Sequence, residues 1–255
     1  MRFEEYTYTR PNLDEVKARF EAAIEKFTNA TSIEEQSVAM NEVNEIRNDI
    51  GTMFNLCYIR HSVDTNDDFY KAEQDYMDEV QPEIEGLVTK YYQALVTSKF
   101  RNELEAKYGK QLFALAEGQL KTFKPEIVPL LQKENRLSTE YTKLIASAKI
   151  YFEGEERTLA QLEPFTQSTD RETRKLASEA KFGFLAEHES ELDRIYDDLV
   201  KVRTEIAHAL GYKNFVELGY YRMMRTDYNS EMVANFRQQV KDFIVPIATK
   251  IKARQ

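Results

Sequence analysis

The sequence predicts an all-α protein built predominantly from long helices, with one small β-hairpin near 149–159. Three observations support this fold class. The 255 residues include only 8 Gly and 6 Pro, roughly half of what average usage would give. Charged residues make up 31% of the chain, and strong helix formers are abundant. Apolar residues recur at helical spacing along most of its length.

Two helix starts are marked near the amino terminus. Asn12 with Glu15, and Ser32 with Glu35, have the spacing in which a cap side chain accepts a backbone N–H and the acidic residue reaches back. The apolar residues after Ser32 form one stripe over about seven turns. The sequence therefore predicts two successive helices, the second of them long.

A third helical pattern begins near Asp67 and contains Pro82. Because proline lacks a backbone N–H and its ring clashes with the preceding turn, we expect the helix to kink there or to divide near Val80. Further helices are expected at 100–107, at 110–121 and from Pro125 to about Ser147.

Residues 149–159 differ in kind, because Ile150 and Phe152 alternate with polar neighbours and Gly154 marks a turn. This pattern predicts a small β-hairpin, which must pack on the helices since two strands alone are marginally stable. We interpret it as a connector, and a lip beside a functional site is the alternative.

The remaining chain predicts three helices. Thr169-Asp-Arg-Glu172 has the capping-box spacing and predicts a long helix to about Leu210. Gly211 is a stop signal, since glycine readily takes the left-handed conformation at helix ends, and a short helix should follow and close near Gly219. The last helix begins near Ser230 and keeps its period to the final residue, so we expect the polypeptide to be truncated there.

Weak helical continuity around Gly109 and Lys124-Pro125 predicts a boundary between two lobes. We expect an amino-terminal helical lobe over 1–108 and a second helical lobe, containing the hairpin, over 109–255. No internal repeat, low-complexity tract or Gly/Ser linker marks another division.

Composition argues against several functions. The net charge is −9 and no basic stripe is present, so nucleic acid is a poor partner. The first residues lack the apolar core of a signal peptide, and no run approaches the roughly 20 apolar residues of a membrane span. Cys57 is the only cysteine, and we expect a buried, inert thiol in a cytoplasmic protein.

The three histidines do not predict a metal site. His188 begins His-Glu-Ser-Glu-Leu192, whereas a zinc-binding His-Glu-x-x-His helix needs a second histidine where Leu192 stands, so we interpret His188 as a solvated helix-surface residue. Glu205 and His208 form a single Glu-x-x-His pair, and a di-iron bundle needs two. His208 is interpreted as structural and His61 as packed or hydrogen-bonded. We therefore predict no catalytic residue and no metal ligand in this chain.

The segment Tyr220–Tyr228 is the best candidate for a binding site. Arginine can grip a carboxylate through two N–H bonds, and tyrosine offers both a ring and a hydroxyl. Tyr221, Arg225 and Tyr228 are therefore predicted substrate-binding residues. The alternative is a helix-connecting turn locked by aromatic packing and an Arg–Asp pair.

Several segments, in this order, resemble the oligoendopeptidase F family, zinc metallopeptidases related to thimet oligopeptidase. The strongest is 210–228, which is similar to LGYxNFxELGYxRxxRxDY in that family. The others are Tyr6-x-Tyr8-x-Arg10-Pro11, Phe69-Tyr70-x-x-Glu73, the hairpin Phe152–Leu159 and Val245-Pro246.

The resemblance implies a helical enzyme with a deep cleft for short peptides, whose zinc is held by two His and a Glu downstream of residue 255. Because no such ligand has a matching position here, we expect this chain to be inactive alone and to form a cleft wall that binds short peptides. A missing carboxy-terminal catalytic portion would be its partner. The alternative is a stand-alone helical peptide- or protein-interaction module without catalysis.

The last helix predicts an uncovered apolar face through which the chain could self-associate. The residues of this face are Val233, Phe236, Val240, Phe243 and Ile247.

Overall fold

The protein, described by a computed structural model over residues 2–254, is built almost entirely from helices. The predicted lobe limits at 1 and 255 lie outside the described residues. The α-helices are α1 Leu13–Asn29, α2 Ile33–Val63, α3 Asp68–Val96, α4 Arg101–Tyr108, α5 Lys110–Gln119, α6 Val128–Ala146, α7 Leu159–Thr166, α8 Arg171–Glu187, α9 Glu189–Ala209, α10 Phe215–Arg222, α11 Ser230–Gln239 and α12 Val245–Lys252. Strands β1 Ile150–Phe152 and β2 Glu155–Arg157 form an antiparallel hairpin. The predicted fold class is thus confirmed.

Two hydrophobic cores contain most of the buried apolar residues, and α3 packs against α1, α2, α5 and α6. The first core includes the fully buried Phe20 and Tyr91, and it also takes in Phe113 from α5. The second core lies between α6, α9 and α10 and includes Val202 and Leu218. The division into lobes after residue 108 stays a prediction.

The two helix starts predicted near the amino terminus are confirmed, and each is capped by the predicted side chain. Asn12 accepts hydrogen bonds from the amides of Asp14 and Glu15 at the start of α1. Ser32 accepts one from the amide of Glu35 at the start of α2. Each cap satisfies amides that have no partner within the helix.

Of the two outcomes expected at Pro82, a kink or a division near Val80, the division does not occur, because α3 continues through Pro82. Proline removes the N–H that the Asp78 carbonyl would accept. Side chains of α6 compensate: Asn135 donates to the Asp78 carbonyl at 3.1 Å and Gln132 donates to the Glu79 carbonyl at 2.8 Å. A neighbouring helix therefore keeps α3 whole.

Between residues 169 and 210 the structure differs from the predicted single capped helix in two respects. The start of α8 is capped by Asp170, not Thr169. The predicted long helix divides at His188 into α8 and α9. The His188 ring stacks on Phe184 with centroids 4.5 Å apart, so this half-buried residue occupies a helix junction and not a solvated helix surface.

The helix α7 was missed at the sequence level. Thr158 and Gln161 form its capping box, in which each side chain accepts the other residue's amide. Thr-x-x-Gln is a recognisable start signal, but Thr158 and Leu159 also fit the end of the hairpin pattern that precedes it.

Two segments that carry the family resemblance meet in the fold. The Tyr8 hydroxyl donates to the Glu73 carboxylate at 2.6 Å, and Arg10 donates to both carboxylate oxygens, at 2.9 Å through Nε and 2.5 Å through Nη2. The Glu73 side chain is only 5% exposed. The Arg10 hydrogen bond lowers the pKa of Glu73. The extended segment before α1 is thereby pinned to α3.

Candidate functional site

The candidate site begins with the helix stop after α9. Gly211 adopts a φ of +94°, a conformation that glycine takes without steric cost. The amides of Gly211 and Tyr212 donate to the carbonyls of His208 and Ala207, both at 2.9 Å. This pattern ends α9 and turns the chain toward α10, as predicted.

The helix that was expected to close near Gly219 extends three residues further, to Arg222. Gly219 is buried inside α10, where a Cβ atom would lie 3.3 Å from the Phe215 ring. Glycine is therefore used here for close packing. The helix continues to Arg222, and Met224 takes the left-handed conformation at φ 54°.

The turn after α10 is held by its own backbone and by α5. The Arg225 amide donates to the Tyr220 carbonyl at 3.1 Å, and the Met224 amide to the Tyr221 carbonyl at 2.9 Å. The Gln111 side chain of α5 donates to the Thr226 hydroxyl at 3.0 Å. The segment is thus fixed at both its backbone and its side chains.

This turn lines an open cleft of about 860 Å³ between α10 and the start of α11. The predicted residues Tyr221, Arg225 and Tyr228 all line it. Tyr221 and Arg225 also line an adjoining cavity of about 250 Å³ toward α5. The fold therefore brings the three predicted residues together at a concave surface, which is where ligands commonly bind.

Arg225 lies in a corner formed by two tyrosine rings. Its guanidinium carbon is 4.7 Å from the ring centroid of Tyr220 and 5.3 Å from that of Tyr228. The two rings meet edge to face, with centroids 6.3 Å apart. Among residues 2–254, no carboxylate lies within 4 Å of the Arg225 guanidinium. The aromatic packing of the alternative interpretation is present, but its Arg–Asp pair, with Asp227, is not.

Arg222 has a different role, because it is tied into the fold. Its Nη1 lies 2.9 Å from Oε2 of Glu134, and Nε of Arg203 lies 2.7 Å from Oε1 of the same carboxylate. The Glu134 side chain is 5% exposed. No sequence signal pointed to Glu134, because its partners are 69 and 88 residues away.

Tyr221 is oriented by a lysine that the sequence did not reveal. Lys121 donates to the Tyr221 hydroxyl at 3.3 Å, and its ammonium lies 4.5 Å from the ring centroid. The Tyr212 hydroxyl in turn donates to the Lys121 carbonyl at 3.0 Å. These contacts place the Tyr221 ring between the two cavities.

The histidines and the cysteine lie apart from this cleft. His61 is 1% exposed, and burial lowers its pKa. Nε2 of His208 lies 3.1 Å from the Lys213 carbonyl near the helix end. Burial raises the pKa of the Cys57 thiol to about 12, as expected of an inert thiol. In the described part of the chain, no group of three His, Cys, Asp or Glu side chains could hold a metal ion.

No helix within residues 2–254 combines the length and apolarity that crossing a membrane requires.

Residues 3–123 match the family model of the Peptidase M3 N-terminal domain. A protein described as an oligoendopeptidase F from Bacillus anthracis strain Ames shares 65% identity over all of this chain and 47% of its own, with a TM-score of 0.96. No curated protein matched the chain.

Two further solved structures are similar over the whole of this chain. PZ peptidase A, solved with an inhibitor, is 62% identical, with 45% of its chain covered and a TM-score of 0.95. A second protein described as an oligoendopeptidase F is 59% identical, with 45% of its chain covered and a TM-score of 0.96. The chain thus spans about half the length of these solved relatives.

Proposed function

We infer the function from family membership, because this chain belongs to the oligoendopeptidase F family and corresponds to the amino-terminal part of an M3 oligopeptidase. The proposed enzyme is a zinc-dependent hydrolase of short peptides. In it, the residues of this chain form one wall of the substrate cleft. The observation that carries the proposal is the similarity of the whole chain, at 59–65% identity, to solved peptidases of this family.

The cleft beside α10 supports the assignment of the wall. It combines tyrosine rings, which can pack on apolar side chains of a peptide, with hydroxyl and guanidinium donors that can bind its carbonyls or carboxylates. Tyr221, Arg225 and Tyr228 are the proposed peptide-contacting residues. The cleft is open to solvent, so an extended peptide can enter without local unfolding.

Zinc is proposed from family membership alone. The described residues do not fit that metal, since they bring no three suitable side chains together. We place the zinc in the portion of the enzyme that this chain does not span, and we expect the purified chain to be inactive by itself. No step of the hydrolysis is derived from its residues.

The partner of this chain is proposed to be the carboxy-terminal catalytic portion. The helical segment that runs from α11 through the turn at residues 240–244 into α12 exposes Phe236, Phe243 and Ile247, at 65%, 68% and 56%. Exposed apolar surface of this kind usually meets another surface. A cytoplasmic location is proposed because the chain has a single, buried cysteine. The stand-alone interaction module is not favoured, because the whole chain matches peptidase structures.

Peptide binding without hydrolysis tests this proposal. The purified chain should bind short peptides by calorimetry, and Tyr221→Ala and Tyr228→Ala should each weaken binding by roughly three- to tenfold, the value of one buried aromatic contact. Tyr58→Ala, which removes a 55% exposed tyrosine from α2, is the matched control and should bind like the wild type.

Two results would contradict the proposal. Equal binding by the Tyr221, Tyr228 and Tyr58 variants would remove the cleft from the substrate path. Zinc-dependent cleavage of peptides by this chain alone, abolished by a chelator, would show that it is not an inactive portion.

A further inference from the structure

The Tyr220–Tyr228 segment contains two arginines, Arg222 and Arg225, and only Arg225 is available to a ligand. Arg222 is used by the fold, since it neutralises the buried Glu134 together with Arg203. Arg225 lines the cleft and has no carboxylate within 4 Å among residues 2–254. The Arg225 guanidinium can therefore still bind a carboxylate, to which a guanidinium readily donates two parallel hydrogen bonds.

The surroundings of Arg225 hold its guanidinium in place before any ligand arrives. The rings of Tyr220 and Tyr228 contact it from two directions, and its amide is bonded to the Tyr220 carbonyl. A restrained arginine loses less side-chain entropy on binding than a free one. The rings also displace water from part of the cation, which strengthens its attraction for an anion.

The charge of the cleft favours a single carboxylate over a polyanion. Besides Arg225, the lining includes Lys213 but also Glu217, Asp227 and Glu231. A phosphate chain or nucleic acid would meet these three acidic groups and be repelled. A short peptide carries isolated charges and presents one carboxylate to one guanidinium.

We propose that Arg225 recognises a carboxylate of the peptide ligand, held by two N–H bonds from its guanidinium in the corner formed by Tyr220 and Tyr228. The carboxylate comes either from the carboxy terminus of the peptide or from an Asp or Glu side chain. This inference rests on the proposed function, because it names the group that the cleft wall binds.

The test compares three forms of one short peptide on the purified chain. The first has a free carboxy terminus and no acidic side chain, the second is its carboxy-terminal amide, and the third is the amide with one Glu side chain. Wild type should bind at least one carboxylate form roughly three- to tenfold more tightly than the plain amide, the range for a partly exposed charge pair. Which form it prefers identifies the source of the carboxylate.

Variants assign the effect to Arg225. Arg225→Gln should bind all three peptides with the affinity of the plain amide, and Arg225→Lys, which keeps the charge but loses the planar fork, should discriminate weakly. Lys213→Gln removes another cation of the same cleft and should discriminate like wild type. Circular dichroism should show the same thermal midpoint for the Arg225 variants and the wild type.

Three other results would each contradict a different part of the proposal. Equal affinity of wild type for the three peptides overturns carboxylate recognition and leaves the peptide-binding wall standing. Loss of discrimination in Lys213→Gln as well as in Arg225→Gln overturns the assignment to Arg225. Absence of binding of every peptide overturns both this inference and the proposed cleft wall.

Discussion

At the scale of single residues, Glu134 links three helices through one carboxylate. It lies on α6 and pairs with Arg203 of α9 and Arg222 of α10. Removing water from a carboxylate is costly, so its two partners are what make its burial tolerable. Because Arg222 is bound in this way, the turn that follows it, including Arg225, starts from a fixed position.

Glu134→Gln should lower the free energy of unfolding by about 1–3 kcal/mol. This loss of stability is smaller than for a fully buried ion pair, because the side chains of Arg203 and Arg222 are 40% and 33% exposed and water screens their charges. Urea denaturation measures it. Glu140→Gln is the control, since Glu140 pairs with Arg194 at an exposed site, and it should cost less than about 1 kcal/mol. Equal costs would contradict the role of burial.

His61 should make stability depend on pH. Its Nε2 is buried without a hydrogen-bond partner in residues 2–254; burial lowers its pKa, Lys143 lowers it further and Asp75 raises it. Because the folded pKa lies below the unfolded value of 6.5, the unfolded state binds the proton more readily. Stability is therefore complete above about pH 6.5 and is lost as the pH falls toward the folded pKa.

Replacing His61 tests this dependence. The free energy of unfolding of wild type should decrease between pH 7.5 and pH 5.5, and His61→Gln should show a flatter profile. Ser62→Ala, which removes the neighbouring side chain without removing a titratable group, should keep the wild-type slope. A parallel decrease in His61→Gln and wild type would show that another group titrates.

At the scale of helices, the continuity of α3 depends on α6. Pro82 deprives a carbonyl of its helical donor, and Asn135 and Gln132 supply side-chain donors. The helical segment that ends with α12 accommodates Pro246 in a different way. The chain widens to a π-helical turn at Val240–Ile244, directly before α12, whose second residue is Pro246. Such turns commonly accommodate irregularities within helices.

A double-mutant cycle tests the α3–α6 dependence. Asn135→Ala should cost about 1 kcal/mol, because it leaves the Asp78 carbonyl without a donor. In a Pro82→Ala background the residue-82 amide is restored, so Asn135→Ala should cost less, with a coupling of about 0.5 kcal/mol or more. Denaturant unfolding of the four proteins measures it. Additive effects would mean that Asn135 does not compensate for Pro82.

At the scale of the whole molecule, α11 and α12 leave most of their large apolar side chains exposed. Within the described residues, α11 packs against α10, whereas α12 packs mainly on the turn that joins it to α11. None of the side chains of α11 and α12 is buried. We propose that in the absence of the catalytic portion this face drives self-association.

Substitution of the exposed phenylalanines tests self-association. Light scattering of the wild-type chain should show a concentration-dependent mass above 29.9 kDa. Phe236→Glu with Phe243→Glu should restore the monomer without lowering the thermal midpoint, because neither side chain contributes to a core. Phe182→Glu, on a 63% exposed position of α8, is the control and should associate like wild type. A monomeric wild type would contradict the proposal.

The sequence by itself determined the features whose partners are close along the chain. Caps such as Asn12 and the stop at Gly211 bond to groups within a few residues, so their local chemistry is readable. The candidate residues Tyr221, Arg225 and Tyr228 could be predicted together because they lie on one continuous turn. The same local signals misplaced the end of α10, since Gly219 is used for packing and not for a stop.

Only the tertiary structure decided which charged groups are engaged and which are free. Arg222 and Arg225 look alike in the sequence, yet a carboxylate 88 residues from Arg222 occupies it while Arg225 faces the cleft. Lys121 donates to the Tyr221 hydroxyl, although the two residues are 100 positions apart in the sequence. Gln132 of α6 donates to the Glu79 carbonyl in the turn before Pro82, although these two residues are more than 50 positions apart. Periodicity records which face of a helix is buried, but it does not record which helix packs against that face, and pairing of side chains depends on that packing.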